Sequence, residues 1–225
     1  MAVITDWVDN DAGNSESSQV TFDSKSCMKL DTNTHTSPNN AARYQDIGSF
    51  GTRTVFSFNI YFDSIGTQAN TDAFTFLAKD ASTDCYIDFA SDGLFVFDGA
   101  SYHEAGTNLV VQDVWQEWTF DINWTAQTVD VYLDKVLKAS DMDCSFAGGD
   151  NGYVRFRLDG LTSDNNIVYI DWFKAGGSFY SVIEHTANIA SANEWQTETI
   201  GISGVANSYK NAIDEIKIKI TNADA

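Results

Sequence analysis

The chain has 225 residues, of which 43% are hydrophobic and 13% aromatic, so it can bury a full core and is not a disordered protein. Its formal net charge of -19, from 32 acidic and 13 basic residues, excludes nucleic acid and anionic membranes as partners because both would be repelled. The N-terminus lacks the pattern of a secretory signal, and no apolar run approaches the ~20 residues that span a bilayer. We therefore expect a protein made in the cytoplasm, with an extracellular location as the alternative.

The first 19 residues form a polar entry segment that contains a short acidic motif. Asp9 and Asp11 stand in a D-x-D-x-G pattern, and carboxylate oxygens at this spacing are typical of calcium loops. The closing Glu of a full EF-hand is absent, so a calcium site and a plain turn both stay open. Short strands are predicted at residues 19–22 and 27–31, followed by a polar loop at 32–40.

Residues 53–62 carry the clearest single strand. Phe56, Phe58, Ile60 and Phe62 alternate with polar residues and Tyr61, which predicts a central strand with one apolar face. Further strands are predicted at 73–79, 85–90 and 94–98, with turns of Asp, Ser, Thr and Gly between them. The stretch 98–108, which holds Tyr102 and His103, is predicted to be a loop.

Residues 115–134 predict a hairpin. Apolar side chains fall on one face of both strands at period two, and polar side chains and Tyr132 fall on the other. A turn is expected at Asp134 and Lys135, and a loop over residues 139–152. Such a hairpin needs a second sheet beneath it, which indicates an antiparallel sandwich.

Two later strands complete the predicted sandwich. Residues 153–158 alternate, with Tyr153, Arg155 and Arg157 outward, and residues 167–173 are apolar on both faces. Cys27, Cys85 and Cys144 are too widely spaced to indicate a zinc site or a disulfide framework.

Residues 177–225 form a β-rich extension that is too short for a second sandwich of ~100 residues. Its apolar side chains need cover, from the sandwich itself or from a neighbouring subunit. We expect a protein partner or a second copy of the chain to bind there, through a set of assembly residues: Trp195, Ile216, Ile218 and Ile220. The predicted domains are a sandwich at 1–176 and the extension at 177–225.

The order of these motifs resembles the concanavalin A-like, laminin G-like jelly rolls. The resemblance covers residues 15–176 and rests on four stretches: 26–31 (SCMKLD), 54–62 (TVFSFNIYF), 115–120 (WQEWTF) leading into 131–134 (VYLD), and 168–173 (VYIDWF). It implies an all-β antiparallel sandwich. The family includes lectins, glycoside hydrolases, polysaccharide lyases and adhesion domains, and similar modules occur in phage virion proteins, so the fold alone does not select a function. Related modules also bind calcium at the rim, which makes Asp171 a further candidate ligand.

Catalytic motifs of this superfamily are incomplete in the chain. The glucanase pattern E-x-D-x-E is absent, and Glu117 and Asp121 lie ~13 Å apart by strand rise, beyond the usual glycosidase geometry. The lyase pattern Gln-x-His is also absent, although residues 172–180 (WFKAGGSFY) partly resemble a lyase closing motif. We therefore predict a non-enzymatic protein with a structural or glycan-binding role, located at a virion surface. A polysaccharide-degrading enzyme is the alternative.

Glycan binding needs aromatic rings for the apolar face of a sugar and polar groups for its hydroxyls. Arginines would suit an acidic glycan, unless they pair with surface Asp or lie under the extension. The predicted glycan-binding residues are those expected to face outward: Tyr102, His103, Tyr132, Tyr153, Arg155 and Arg157.

Overall fold

The computed structural model describes residues 7–33, 39–48, 50–65, 73–80, 83–91, 93–148, 152–160 and 165–176. Over these ranges the chain forms fifteen β-strands and no helix, which confirms the predicted all-β class. The strands are β1 (Val8–Asp9), β2 (Glu16–Phe22), β3 (Lys25–Asp31), β4 (Asn39–Asp46), β5 (Arg53–Ser64), β6 (Phe74–Lys79), β7 (Thr83–Ala90), β8 (Gly93–Phe97), β9 (Tyr102–Thr107), β10 (Trp115–Asn123), β11 (Thr128–Leu133), β12 (Val136–Asp143), β13 (Phe146–Ala147), β14 (Tyr153–Gly160) and β15 (Ile167–Ala175).

The strands form two antiparallel sheets that pack as a β-sandwich, as predicted. The eight-stranded sheet has the order β1-β4-β14-β6-β7-β8-β9, with β13 paired to β7. The seven-stranded sheet has the order β12-β11-β10-β5-β15-β3-β2. Each sheet contains strands from both halves of the chain: β5 lies between β10 and β15, and β14 lies between β4 and β6. The two halves of the chain therefore build one sandwich together.

The core between the sheets is rich in phenylalanine. Phe58 on β5 meets Phe76 and Phe156 of the opposite sheet at ring-centroid distances of 5.2 and 5.0 Å. These rings are fully buried, and each contributes ~1.5–3 kcal/mol through the apolar surface it removes from water. Cys27, Cys85 and Cys144 are buried free cysteines. The inward faces predicted for residues 53–62 and 153–158 are confirmed.

The predicted hairpin consists of β10 and β11. Trp118, Phe120 and Ile122 face the core, in register with apolar residues of β11. The opposite face holds polar side chains as predicted, but it is buried rather than open to solvent: Thr119 and Asp121 are 1% exposed and Tyr132 is 0% exposed. The hairpin is thus covered on both faces.

Four strands lie where the sequence predicts loops, or extend into a predicted loop: β4, β9, β12 and β13. Strands β9 and β12 end their sheets, so each pairs on one side only and lacks the alternating apolar pattern of a covered strand. Within the described ranges, no helix has the length and apolarity needed to cross a membrane.

Candidate functional site

The outer face of the eight-stranded sheet carries the predicted arginine face. On β14, Val154, Phe156 and Leu158 point into the core, so Tyr153, Arg155 and Arg157 point outward and are half-buried. The structure thus brings these three predicted residues together on one strand, as the alternation indicates.

Arg155 lies in a row of side chains that crosses six strands of this sheet. Arg155 is in register with Tyr44 on β4 and with Leu77 on β6. The register then continues from Leu77 to Tyr86, Phe97 and Tyr102 on the next three strands. We call this set the tyrosine–arginine row; its members are Tyr44, Arg155, Leu77, Tyr86, Phe97 and Tyr102. Four of its six side chains are aromatic.

Arg155 differs from the other arginines in its charge environment. Arg43, Arg53 and Arg157 each form an ion pair with an aspartate. Arg155 forms none with the described residues, and its Nε atom is buried without a hydrogen-bond partner there. The positive charge of Arg155 also acts on Tyr86. Burial raises the pKa of Tyr86, and the charges of Lys79 and Arg155 oppose that rise. Arg155 is therefore a cation whose charge no described carboxylate neutralises, whereas Asp159 neutralises Arg157 at 2.6 Å.

Tyr102 and His103 were predicted to lie together on a loop, but they lie on strand β9 and face opposite ways. Tyr102 is in register with Phe97 on the outer face and is 44% exposed. His103 is in register with Val96, a core residue, and its Nε2 lies 2.7 Å from Oδ2 of Asp98. His103 and the backbone N–H groups of Ser101 and Ala100 lower the pKa of Asp98 to about 2. Of Tyr102 and His103, only Tyr102 therefore belongs to the tyrosine–arginine row.

Tyr132 was predicted to face outward as a glycan-binding residue; it lies on the outer face of its sheet, but that face is buried there. Tyr132 lies on β11 of the seven-stranded sheet, whereas Tyr153 lies on β14 of the other sheet. It is fully buried, so its phenol is not available to a ligand at the surface. The expected exposure was wrong because alternation identifies the face of a strand but not whether that face is covered.

Of the predicted calcium ligands, Asp9 ends β1 and Asp11 follows it, and the carboxylates of both accept hydrogen bonds. Oδ1 of Asp11 accepts from the backbone N–H of Ala42, and Oδ2 accepts from the N–H and the hydroxyl of Ser17, at 2.7 to 2.8 Å. Asp9 accepts from the N–H of Asp11 and from Arg43. These oxygens join the entry segment to β2 and β4, and a calcium site here stays a prediction.

Asp171, the third predicted calcium ligand, lies on β15 in the other sheet from Asp9. Its Oδ2 is 3.4 Å from Nζ of Lys25. Among the residues that the structure describes, no group of three or more His, Cys, Asp or Glu side chains is arranged to hold a metal ion. Calcium at Asp171 likewise stays a prediction.

The carboxylates considered for catalysis are engaged by basic side chains. Asp121 lies directly opposite Asp130 on the hairpin, and Arg53 donates to Asp121 at 2.6 and 3.0 Å and to Asp130 at 3.4 Å. Burial raises the pKa of both carboxyls, and Arg53 opposes the rise. Glu117, four residues before Asp121 on the strand, lies 3.9 Å from Lys135.

A second aromatic group, outside the predicted glycan-binding residues, lies on the outer face of the seven-stranded sheet. Tyr61 on β5 is in register with Tyr169 on β15 and with Trp115 on β10, and Phe22 at the end of β2 stacks on Tyr169 at 3.8 Å. We call these four half-buried residues the aromatic row. The outward position of Tyr61 is readable from its strand, but its neighbours depend on the order of the strands. The assembly residues of the extension, Trp195, Ile216, Ile218 and Ile220, lie outside the described residues.

Comparisons with known proteins support the fold. No family model matches the sequence, and no curated protein matches it. A sialidase matches in structure at 10% identity and a TM-score of 0.49; the chain spans only 19% of that protein's length, with 77% of its own residues covered.

Three solved structures of similar size match over most of the chain. The cellulose-induced protein Cip1 has a TM-score of 0.53 at 12% identity, over 80% of this chain and 95% of Cip1. A carbohydrate esterase of the Shiga toxin-encoding bacteriophage phi24B has a TM-score of 0.52 at 14% identity, over 76% of this chain and 90% of the esterase. The carbohydrate recognition domain of Emp46p has a TM-score of 0.50 at 12% identity, over 77% and 88%. At these identities the similarity concerns the fold alone, and the chain shares the jelly-roll β-sandwich of these structures.

Proposed function

We propose that this chain is a non-enzymatic β-sandwich protein that binds acidic glycans on the outer face of its eight-stranded sheet. The observation that carries the proposal is Arg155, a half-buried arginine with no acidic partner among the described residues of a chain that has 32 acidic residues. A guanidinium group that the protein itself leaves unneutralised is suited to an external anion.

The neighbours of Arg155 favour a sugar carboxylate over a free inorganic anion. Tyr44 lies beside Arg155 on the next strand, and Tyr153 lies two residues away on the same face. Aromatic rings can pack against the C–H face of a pyranose while their hydroxyls bind sugar hydroxyls. The guanidinium fork binds a carboxylate through two parallel hydrogen bonds, so a uronic-acid residue would satisfy both parts of the site.

The test is calorimetric titration of the full chain with oligogalacturonate and with its methyl ester, which lacks the negative charge. We expect the acid to bind and the ester to bind at least tenfold more weakly, since hydrogen bonds to a charged group contribute ~1.5–3 kcal/mol and ~1.4 kcal/mol is tenfold in affinity. Arg155→Gln should weaken binding of the acid to the same extent. Lys138→Gln, which removes a positive charge from an exposed position on β12, is the charge-matched control and should bind as wild type does.

Equal binding of acid and ester, or an Arg155→Gln variant that binds like wild type, would overturn the acidic-glycan site. An activity screen on acidic polysaccharides tests the alternative enzyme of the same fold. Turnover that is lost on substitution of Glu117 or His103 would replace the binding function with that enzyme.

The narrower role that we propose is that of a virion surface protein, as a decoration or fibre-associated component. It is supported by the resemblance of the strand motifs to modules found in phage virion proteins, and by the apolar alternation of Ile216, Ile218 and Ile220 in the extension. In this role the extension binds a protein partner or a second copy of the chain. Light scattering on the full chain tests that assembly.

A further inference from the structure

We propose a second saccharide-binding site, on the aromatic row of the seven-stranded sheet, that accepts a neutral glycan. The site is separate from Arg155 because the two lie on different sheets of the sandwich. The two proposed sites can therefore be tested independently of each other.

The aromatic row is long enough for more than one sugar ring. Tyr169, Tyr61 and Trp115 occupy the same register on three adjacent strands, and strands lie ~4.8 Å apart, so the row extends ~10 Å across the sheet. The ring centroid of Tyr61 lies 6.2 Å from that of Tyr169 and 5.5 Å from that of Trp115. The ring planes of the two pairs are tilted by 64° and 55°. Phe22 packs against both Tyr61 and Tyr169, at 4.9 and 3.8 Å, so the rings form one half-buried aromatic cluster against which a saccharide can pack.

Hydrogen bonds and stacking fix the rings before any ligand binds. Nε1 of Trp115 donates to Oδ2 of Asp23 at 2.9 Å, and the hydroxyl of Tyr61 donates to Oδ1 of Asp113 at 3.3 Å. Phe22 lies parallel to Tyr169, with 3° between the ring planes. Rings that are already oriented lose little side-chain entropy on binding, which favours affinity.

The charges around the row select a neutral ligand. Asp23 and Asp113 anchor the rings, and Asp171 binds Lys25, whose Nζ lies 4.4 Å from the Trp115 ring centroid. Burial raises the pKa of Tyr61, and the negative charges of Asp113 and Asp63 add to that rise. Carboxylates accept hydrogen bonds from sugar hydroxyls but repel anionic sugars. The row thus suits uncharged hexoses or pentoses.

The experiment is calorimetric titration of the full chain with cellohexaose, xylohexaose and mannohexaose. We expect at least one of them to bind, and Trp115→Ala to weaken that binding about tenfold because it removes the largest ring of the row. The matched control is Trp172→Ala. Trp172 is also half-buried and also has a lysine, Lys174, 4.8 Å from its ring, but it lies outside the row. Its variant should bind as wild type does.

Thermal unfolding shows whether each variant is folded. If Trp115→Ala does not fold, Trp115→Phe and Tyr61→Phe provide the test, since each keeps a ring and loses one anchoring hydrogen bond to Asp23 or Asp113; each should weaken binding a few-fold. Failure of all three neutral hexasaccharides to bind wild type overturns the site. So does equal loss of binding in the Trp115 and Trp172 variants.

Discussion

Arg53 holds two buried carboxylates in place on the outer face of the seven-stranded sheet. Asp121 is 1% exposed and Asp130 is 6% exposed, and both lie within 3.4 Å of the guanidinium group. Replacement of Arg53 by Met leaves two buried charges without this partner. Removing one member of a buried ion pair costs ~3–5 kcal/mol, so we expect a loss of that size in the free energy of unfolding measured with urea at pH 7.

The same substitution should show a characteristic pH dependence. Burial already raises the pKa of Asp121 and Asp130, and removing Arg53 raises both further. A carboxyl with a raised folded-state pKa contributes stability below its unfolded pKa and loses it as the pH rises through the folded value. The loss in Arg53→Met should therefore shrink between pH 7 and pH 4. Lys135→Met is the control, because its 44% exposed side chain pairs only loosely with Glu117 and its loss should cost under ~1 kcal/mol. A loss that grows as the pH falls would contradict the prediction.

At the scale of the elements, the turn between β11 and β12 holds a residue in an unfavourable backbone conformation. Asp134 and Lys135 both have positive φ, at 49° and 68°, the geometry of a type I′ turn that favours glycine at the second position. Lys135→Gly should raise the free energy of unfolding by ~0.5–1 kcal/mol, because it relieves left-handed strain that exceeds the entropic cost of glycine. Thermal unfolding measures the gain.

Lys135→Ala separates backbone strain from the side-chain interaction with Glu117. Alanine removes the ammonium group but keeps the strained backbone, so this variant should show no gain. Equal stability of the glycine and alanine variants would mean that strain at Lys135 is not the cause.

A strand can be predicted from the sequence when it lies between two other strands and buries one face in the core. Strands β5 and β14 lie inside their sheets and carry a strict alternation, and both were predicted nearly to the residue. Strand β12 ends its sheet, and its side chains are mostly exposed, so no apolar period marks it. Strand β4 pairs on both sides but contains Asn and Ala, which have low β-propensity; its neighbours β1 and β14 determine its conformation.

At the scale of the whole molecule, the candidate sites were predictable only where one strand holds them. Tyr153 and Arg155 alternate on β14, so their shared face follows from the sequence. Trp115, Tyr61 and Tyr169 come from three strands, and the neighbours of Arg155, Tyr44 and Leu77, likewise come from other strands. Their proximity follows from strand order and register, which a single sequence does not determine. The burial of Tyr132 was unpredictable for a related reason, because the residues that bury the outer face of a sheet are distant in sequence.

We propose that the extension at 177–225 mediates assembly with another chain, and the oligomeric state in solution tests this. If the face of Ile216 and Ile218 binds another chain, light scattering should give the full chain a mass above its monomer mass of 24.8 kDa. Ile216→Asp with Ile218→Asp should return the mass to that of the monomer, because two charges cannot be buried unpaired in an apolar interface. Lys217→Gln with Lys219→Gln changes the net charge equally on the alternate positions and should leave the assembly intact. A monomer in every case, with only the Ile variant less stable, would mean that this face packs on its own sandwich, and the assembly role would then be wrong.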